Sequence, residues 1–303
     1  TYQNLFQKSE KEELGRGLRL SFGQNTIPDI IRVGQQFPLS VVIENYGPEM
    51  SGTLRIYDQI DGDAVDYESS VTIPGATFAE DTLGKIRGKI IPGRKTIPED
   101  ESERLRFYTD EQVFDGAKAN IHAELTIEDY PIRERFPLCL KEENIQGVPC
   151  SNTEIETFAD AKTQYRAVTY SPVTISRVEK TVTPLGSGQY FVVLDITLSN
   201  VGGGEILGNI VEKNFDTETS PLDSVVLQRS AINTPAVTFG GQSLQCSPQD
   251  YITFVGTTAV FNCVGTTQLE EGQEYVERMT EINYNFGYVM KIKKGPIPLI
   301  KRK

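Results

Sequence analysis

The sequence predicts an all-β fold of two β-sandwich domains in tandem, flanked by extended terminal segments. Three observations carry this. Short segments rich in Val, Ile, Thr, Tyr and Phe recur along the chain, many with strict alternation, and Gly, Pro, Asn or Asp fills the gaps. No segment longer than about ten residues shows convincing helical periodicity. A weak internal repeat relates "PLSVVIENYGPEMSG" to "VLDITLSNVGGGEILG", placing Asn45 opposite Asn200 and Gly47 opposite Gly202, 155 residues apart. That separation is about one domain length.

In chain order, residues 1–16 read as a polar and charged N-terminal arm. Residues 17–168 then supply "LRLSF", "FPLSVVIEN", "SGTLRIYDQI", "YESSVTI", "GKIRGKII", "ERLRFYT" and "ANIHAELTIEDY" as strands of a first sandwich. Residues 169–291 supply "SPVTISRVEKTVTP", "GQYFVVLDITLSN", "DSVVLQRSAI", "AVTFGG", "YITFVGTTAVFNC" and "NYNFGYVMKIK" for a second. Residues 292–303 form a basic tail with an apolar patch. The triple glycine Gly202–Gly204 follows a strand and leads into "EILGNIVEKNF", which begins as another strand. A dinucleotide loop would instead enter a helix whose N-terminus faces the phosphates. The glycines therefore read as a turn, with Asn and Gly tolerating positive φ there.

Composition narrows the function. Of the 303 residues, 38% are apolar and 24% charged, enough for a packed core. The net charge of −12 repels phosphate backbones, so nucleic acid is excluded as a partner. No apolar run is long enough for a transmembrane helix. The chain opens on Thr1 rather than Met, which suggests an N-terminus removed by a signal peptidase or by engineering, and the cysteine usage favours the first.

The four cysteines form two close pairs, Cys139/Cys150 and Cys246/Cys263, without the C-x-x-C spacing of a zinc knuckle or redox motif. Two local disulfides in an oxidising, extracellular setting fit best. Each would close a loop of roughly 12 to 18 residues, contributing about 3 kcal/mol in the chain-entropy model. Four buried free thiols are the alternative.

Candidate chemistry is sparse. His122 alternates onto the solvated face of its strand with Glu124, Thr126 and Glu128, and no serine or cysteine nucleophile is paired with it. No catalytic or cofactor-binding residue is assigned. In "YDQIDGDAVDYE", Asp58, Asp61, Asp63 and Asp66 offer oxygen ligands around a glycine turn suited to calcium, although the spacing is not that of an EF-hand and Asp-Gly is also an ordinary hairpin turn. In "INYNFGYVM", alternation puts Ile282, Tyr284, Phe286 and Tyr288 on one face. Together with Tyr275 they read as core or interface packing rather than a sugar platform.

"LRLSFGQNTIPDIIRVGQQFPLSVVIENYGPEMSG" is similar to the opening of CARDB-like, immunoglobulin-type domains of archaeal surface proteins. The resemblance continues through a close cysteine pair, then Pro172 to Glu179 and Ser199 to Gly204. It covers residues 17–210 well and the remainder more loosely. It implies two immunoglobulin-like domains, a cell-surface setting and no known catalytic residues. No N-x-S/T sequon occurs, unlike many exported archaeal surface proteins.

The ends complete the reading. Tyr2, Leu5 and Phe6 in the arm, and Ile297, Leu299 and Ile300 in "GPIPLIK", suit an extended segment laid along the open edge of a neighbouring sheet. A basic tail would meet an acidic body. The expected partners are other copies of the chain, head to tail, and cell-envelope components. The expectation is a non-enzymatic subunit of a surface filament or envelope layer. A monomeric adhesin or ligand-binding module on an anchored stalk is the alternative.

Overall fold

The computed structural model describes residues 17–24, 26–60, 65–78, 90–100, 102–142, 145–148, 150–157, 171–208 and 230–301. The described chain is all-β, with several sheets, an arrangement consistent with β-sandwich architecture. Among the described residues the only helical turn is a 3₁₀ turn at Ser102–Arg104.

The chain divides into two compact units. The first comprises Thr1–Ile127, Tyr170–Pro172 and Val289–Lys303; the second comprises Glu128–Thr169 and Val173–Tyr288. The sequence reading cuts the chain once, between 168 and 169, whereas these units are interleaved. The interleaving arises because two strands, Lys118–Lys141 and Tyr275–Ile300, each run through a division point.

In the first unit, Leu18–Phe22, Val41–Asn45 and Gly93–Ile97 form an antiparallel sheet with Val41–Asn45 in the middle. A second sheet pairs Met50–Tyr57 with Tyr67–Ile73 on one side and with Lys118–Lys141 on the other, in the register His122↔Tyr57 to Thr126↔Thr53. Alternation sends Leu18, Leu20, Ile43, Leu54, Ile56, Ile121 and Leu125 inward, and all are buried. Gly93 cannot carry a side chain, since a Cβ there would lie 1.9 Å from the Pro74 carbonyl oxygen.

In the second unit, five strands run in the order Thr153–Thr157, Val173–Gly186, Gln189–Asn200, Thr258–Gln268, Gln245–Ser247. The central hairpin turns through Ser187 (φ 52°) and Gly188 (φ 73°). A second sheet places Ala236–Phe239 between Gln242–Ser243 and Tyr275–Ile300. Val178, Val192, Leu194, Ile196, Phe239, Phe261 and Phe286 fill the core. Both cysteine pairs are disulfides, Cys139–Cys150 and Cys246–Cys263, and the second joins registered partners on adjacent strands.

Several expectations change. "ANIHAELTIEDY" is half of a 24-residue strand and "NYNFGYVMKIK" part of a 26-residue one. Pro131, Pro137, Pro296 and Pro298 look like breakers in sequence, yet an extended backbone accepts proline wherever the ladder needs no N–H. "ERLRFYT" starts as a 3₁₀ turn and only then becomes the short strand Leu105–Arg106. Most of "GKIRGKII" and "DSVVLQRSAI" lies outside the described residues.

Candidate assembly site

The basic tail expected to leave the body is the end of a strand of its own unit. Tyr275–Ile300 carries "KIKKGPIPLI" at its C-terminal end. Alternation there turns Ile297 and Leu299 inward, 2% and 5% exposed, and leaves Ile300 half exposed. The terminal residues pair in parallel with the short strand Ile31–Arg32, in the register Ile31↔Leu299 and Arg32↔Ile300. The Val33 N–H donates to the Ile300 carbonyl at 3.0 Å, and the Leu299 N–H donates to the Ala117 carbonyl at 3.0 Å. Pro296 and Pro298 have no N–H to give to a ladder, and the buried side chains of Ile297 and Leu299 anchor the segment beside its backbone bonds.

Charge follows the same pattern. Lys291 lies 3.3 Å from Glu124, Lys294 lies 3.2 Å from Asp29, and Lys301 Nζ donates to the Asp110 carbonyl at 2.9 Å. The basic segment thus meets acidic groups of its own unit, where the sequence reading places them on a neighbour. These exposed pairs are worth little individually. Gly295 precedes the segment with φ 137°, and a Cβ there would sit 2.6 Å from the Ala119 carbonyl oxygen, so only glycine fits.

Around this plug and its slot stand apolar side chains left in water. Ile30 is 52%, Phe107 47%, Phe114 76% and Ile300 48% exposed. The Gly34 N–H donates to the Tyr108 carbonyl at 2.8 Å, tying the loop after Ile31–Arg32 to the Phe107 segment. Beneath, Tyr108 is fully buried and stacks on Phe37 with centroids 5.9 Å apart. Of the assembly residues read from sequence, Ile297, Leu299 and Ile300 come together here, while Tyr2, Leu5 and Phe6 lie outside the described residues. The slot residues Ile31 and Val33 and the rim residues Phe107 and Phe114 were missed. One signal was present: a phenylalanine within the polar loop "DEQVFDGAK" is a candidate for exposure.

Elsewhere the predicted residues have other partners. Asp58 accepts hydrogen bonds from the Tyr108 hydroxyl and from the Ile60 N–H, the latter at 3.1 Å. Burial raises its pKa, and the Tyr108 hydrogen bond acts against that rise. Asp66 pairs with Arg55 at 3.7 Å. Asp61 and Asp63 lie outside the described residues, so a calcium site at this loop rests on the sequence pattern. His122 stacks on Tyr57 with centroids 5.2 Å apart. Burial and then Lys293 push its pKa down, and Asp58 opposes them. Tyr284, Phe286 and Tyr288 are buried with Ile282, as core packing requires, and Phe286 stacks on Tyr130 at 5.2 Å. Tyr275 is exposed.

Both halves of the internal repeat end in turns, by a mechanism different from the expected one. Neither Asn45 nor Asn200 has positive φ; their side chains do the work. Asn45 Oδ1 accepts from the Gly47 N–H at 2.8 Å, and its amide donates to the Pro74 carbonyl at 3.1 Å. Asn200 Nδ2 donates to the Gly204 carbonyl at 2.8 Å, and Gly203 supplies the positive φ, 74°. A further residue escaped the sequence reading. Lys180 is fully buried, with its amine on the Cys139 carbonyl and 2.6 Å from Glu154.

No protein-family model matches the chain, and no curated protein matches it.

Proposed function

We propose that this protein is a non-enzymatic structural subunit of an extracellular assembly, a surface filament or envelope layer. Its copies hold one another through exchanged terminal strands. The observation that supports this most is the plug at Ile297 and Leu299. It is the end of a long strand, anchored by two buried side chains in a slot that any second copy also carries. The two disulfides fit an oxidising, extracellular compartment. The sequence motifs that resemble CARDB-like domains, and the repeated Asn-turns, support reading the units as tandem immunoglobulin-like domains of an archaeal surface protein. In this reading no metal or cofactor takes part, and the partners are other copies and envelope components.

A monomeric adhesin or ligand-binding module is the second reading. It is favoured by one observation: the plug fills the slot of its own chain, so a single copy is complete. Light scattering with the variant lacking residues 296–303 separates the two. The structural reading expects the full chain to form larger species and the truncated chain, folded by circular dichroism, to stay at monomer mass. Equal assembly by both chains would remove the plug from the mechanism.

A further inference from the structure

The turn after the short strand Ile31–Arg32 frames a hollow on the first unit. Gly34, Gln35, Gln36 and Phe107 line a space of about 480 Å³ there. Its frame is fixed from both sides. The Gly34 N–H donates to the Tyr108 carbonyl at 2.8 Å, and the Gln35 N–H donates to the Arg32 carbonyl at 3.0 Å. Arg106 is registered opposite Phe37, and Tyr108 is fully buried against the Phe37 ring. Phe107 lies between these two anchors and is 47% exposed. Gly34, at φ 76°, leaves its backbone open, since a Cβ there would meet nothing within 4 Å. The side chains of Gln35 and Gln36 are exposed, and their amides make no hydrogen bond among the described residues.

The chemistry of this lining selects a ligand. None of the four residues carries a charge, so an anionic ligand meets no cation and a cationic one no carboxylate. Each amide offers both donors and an acceptor, which matches a hydroxyl. The phenylalanine offers an apolar ring with no polar atom of its own. A neutral sugar presents the complement of both, with C–H groups on one face of its ring and hydroxyls around the edge. A peptide side chain would need a closed apolar slot, and this lining has one apolar side chain and a glycine. We propose that Gly34, Gln35, Gln36 and Phe107 form a binding site for a neutral saccharide, with one sugar ring seated on Phe107 and its hydroxyls on the two glutamine amides. The site goes beyond the assembly reading and does not rest on it, since a single copy carries all four residues. One aromatic ring and two exposed amides make a weak site, with a Kd on the order of 1 mM.

Nuclear magnetic resonance of the isotope-labelled full chain tests this, with cellobiose, maltose, lactose, N-acetylglucosamine and methyl α-mannoside as probes. At least one of them should shift the Gly34 backbone signal and the Gln35 and Gln36 side-chain amide signals, saturating in the range of about 1–10 mM. Phe107→Ala should weaken that binding about tenfold, and Gln35→Ala and Gln36→Ala several-fold each. Phe107→Tyr, which keeps the aromatic face, should retain it. Undisturbed signals elsewhere in the spectrum show that each variant is folded. No shift at Gly34, Gln35 or Gln36 with any probe up to about 100 mM overturns the site, and so do shifts that survive Phe107→Ala. Glucuronate or glucosamine binding there as well as the neutral sugars overturns the neutral class. N-acetyl-leucine methylamide binding there in place of every sugar overturns the saccharide.

Discussion

Lys180 offers a test of the energetics in which two substitutions at one ion pair should differ in size. Its side chain is fully buried, and its amine faces the Cys139 carbonyl and Glu154 on the adjacent strand. Burial pushes its pKa down, and Glu154 works against that. Removing one partner of a buried pair typically costs about 3–5 kcal/mol, because a buried charge is left uncompensated. The Glu154 side chain is 28% exposed, so water replaces part of the lost interaction and Glu154→Ala should cost about 2 kcal/mol. Lys180→Met removes the charge itself. It strands the Cys139 carbonyl, a loss of about 1–2 kcal/mol. It also ends the desolvation of the ammonium, a gain of about 1–4 kcal/mol. The net should lie between a loss of about 1 and a gain of about 3 kcal/mol. The double variant should resemble Lys180→Met alone, giving a coupling of about 2 kcal/mol. Urea unfolding followed by circular dichroism and tyrosine fluorescence measures all three, since the chain has no tryptophan. If Lys180→Met is the more damaging single change, or if the two effects simply add, the reasoning about this pair is wrong.

Three further outcomes follow from the structure. Gly93→Ala should destabilise the first unit by about 1–3 kcal/mol, because its methyl would overlap the Pro74 carbonyl oxygen; an unchanged denaturation midpoint would show the sheet yields there. Tyr288, whose pKa burial pushes up to about 12, holds its proton more tightly folded than unfolded, where it titrates near 10.0. Its contribution of about 3 kcal/mol is present below pH 10 and lost as pH rises through about 12, so Tyr288→Phe should flatten the alkaline limb of the stability–pH profile. Replacing Cys246 and Cys263 together by alanine opens a loop of 17 residues of sequence separation and should cost about 3 kcal/mol; a midpoint unaffected by the change would contradict that.

Much of the fold could be read from period-two alternation. "LRLSF" and "YESSVTI" are strands with the residues that the pattern marks, Leu18–Phe22 and Tyr67–Ile73. Ile282, Tyr284, Phe286 and Tyr288 face the core as their spacing requires, and the cysteine pairs bond as their proximity in sequence suggests. Strand length was not legible, because proline and glycine mark turns only on average. Pro131 and Pro137 lie inside Lys118–Lys141 without ending it. The candidate site was half legible. The sequence marked Ile297, Leu299 and Ile300 as an extended segment with an apolar patch. It could not say which strand they join, because Ile31–Arg32 is two residues long and pairs in parallel across the whole length of the sequence. Such a contact leaves no local periodicity. Lys180 shows the opposite case: Val178, Lys180 and Val182 share one face, so alternation alone points the lysine inward, against the usual expectation for a charged residue.

The claim at the centre of this account is that the strand ending at Ile300 joins one copy to another. Sedimentation of the full chain and of the chain ending at Gly295, across a wide range of concentration, measures this most directly. The account predicts a mass for the full chain that rises above the monomer as concentration increases, and a truncated chain that remains folded at monomer mass throughout. A folded full chain that sediments as a monomer at every concentration would contradict it.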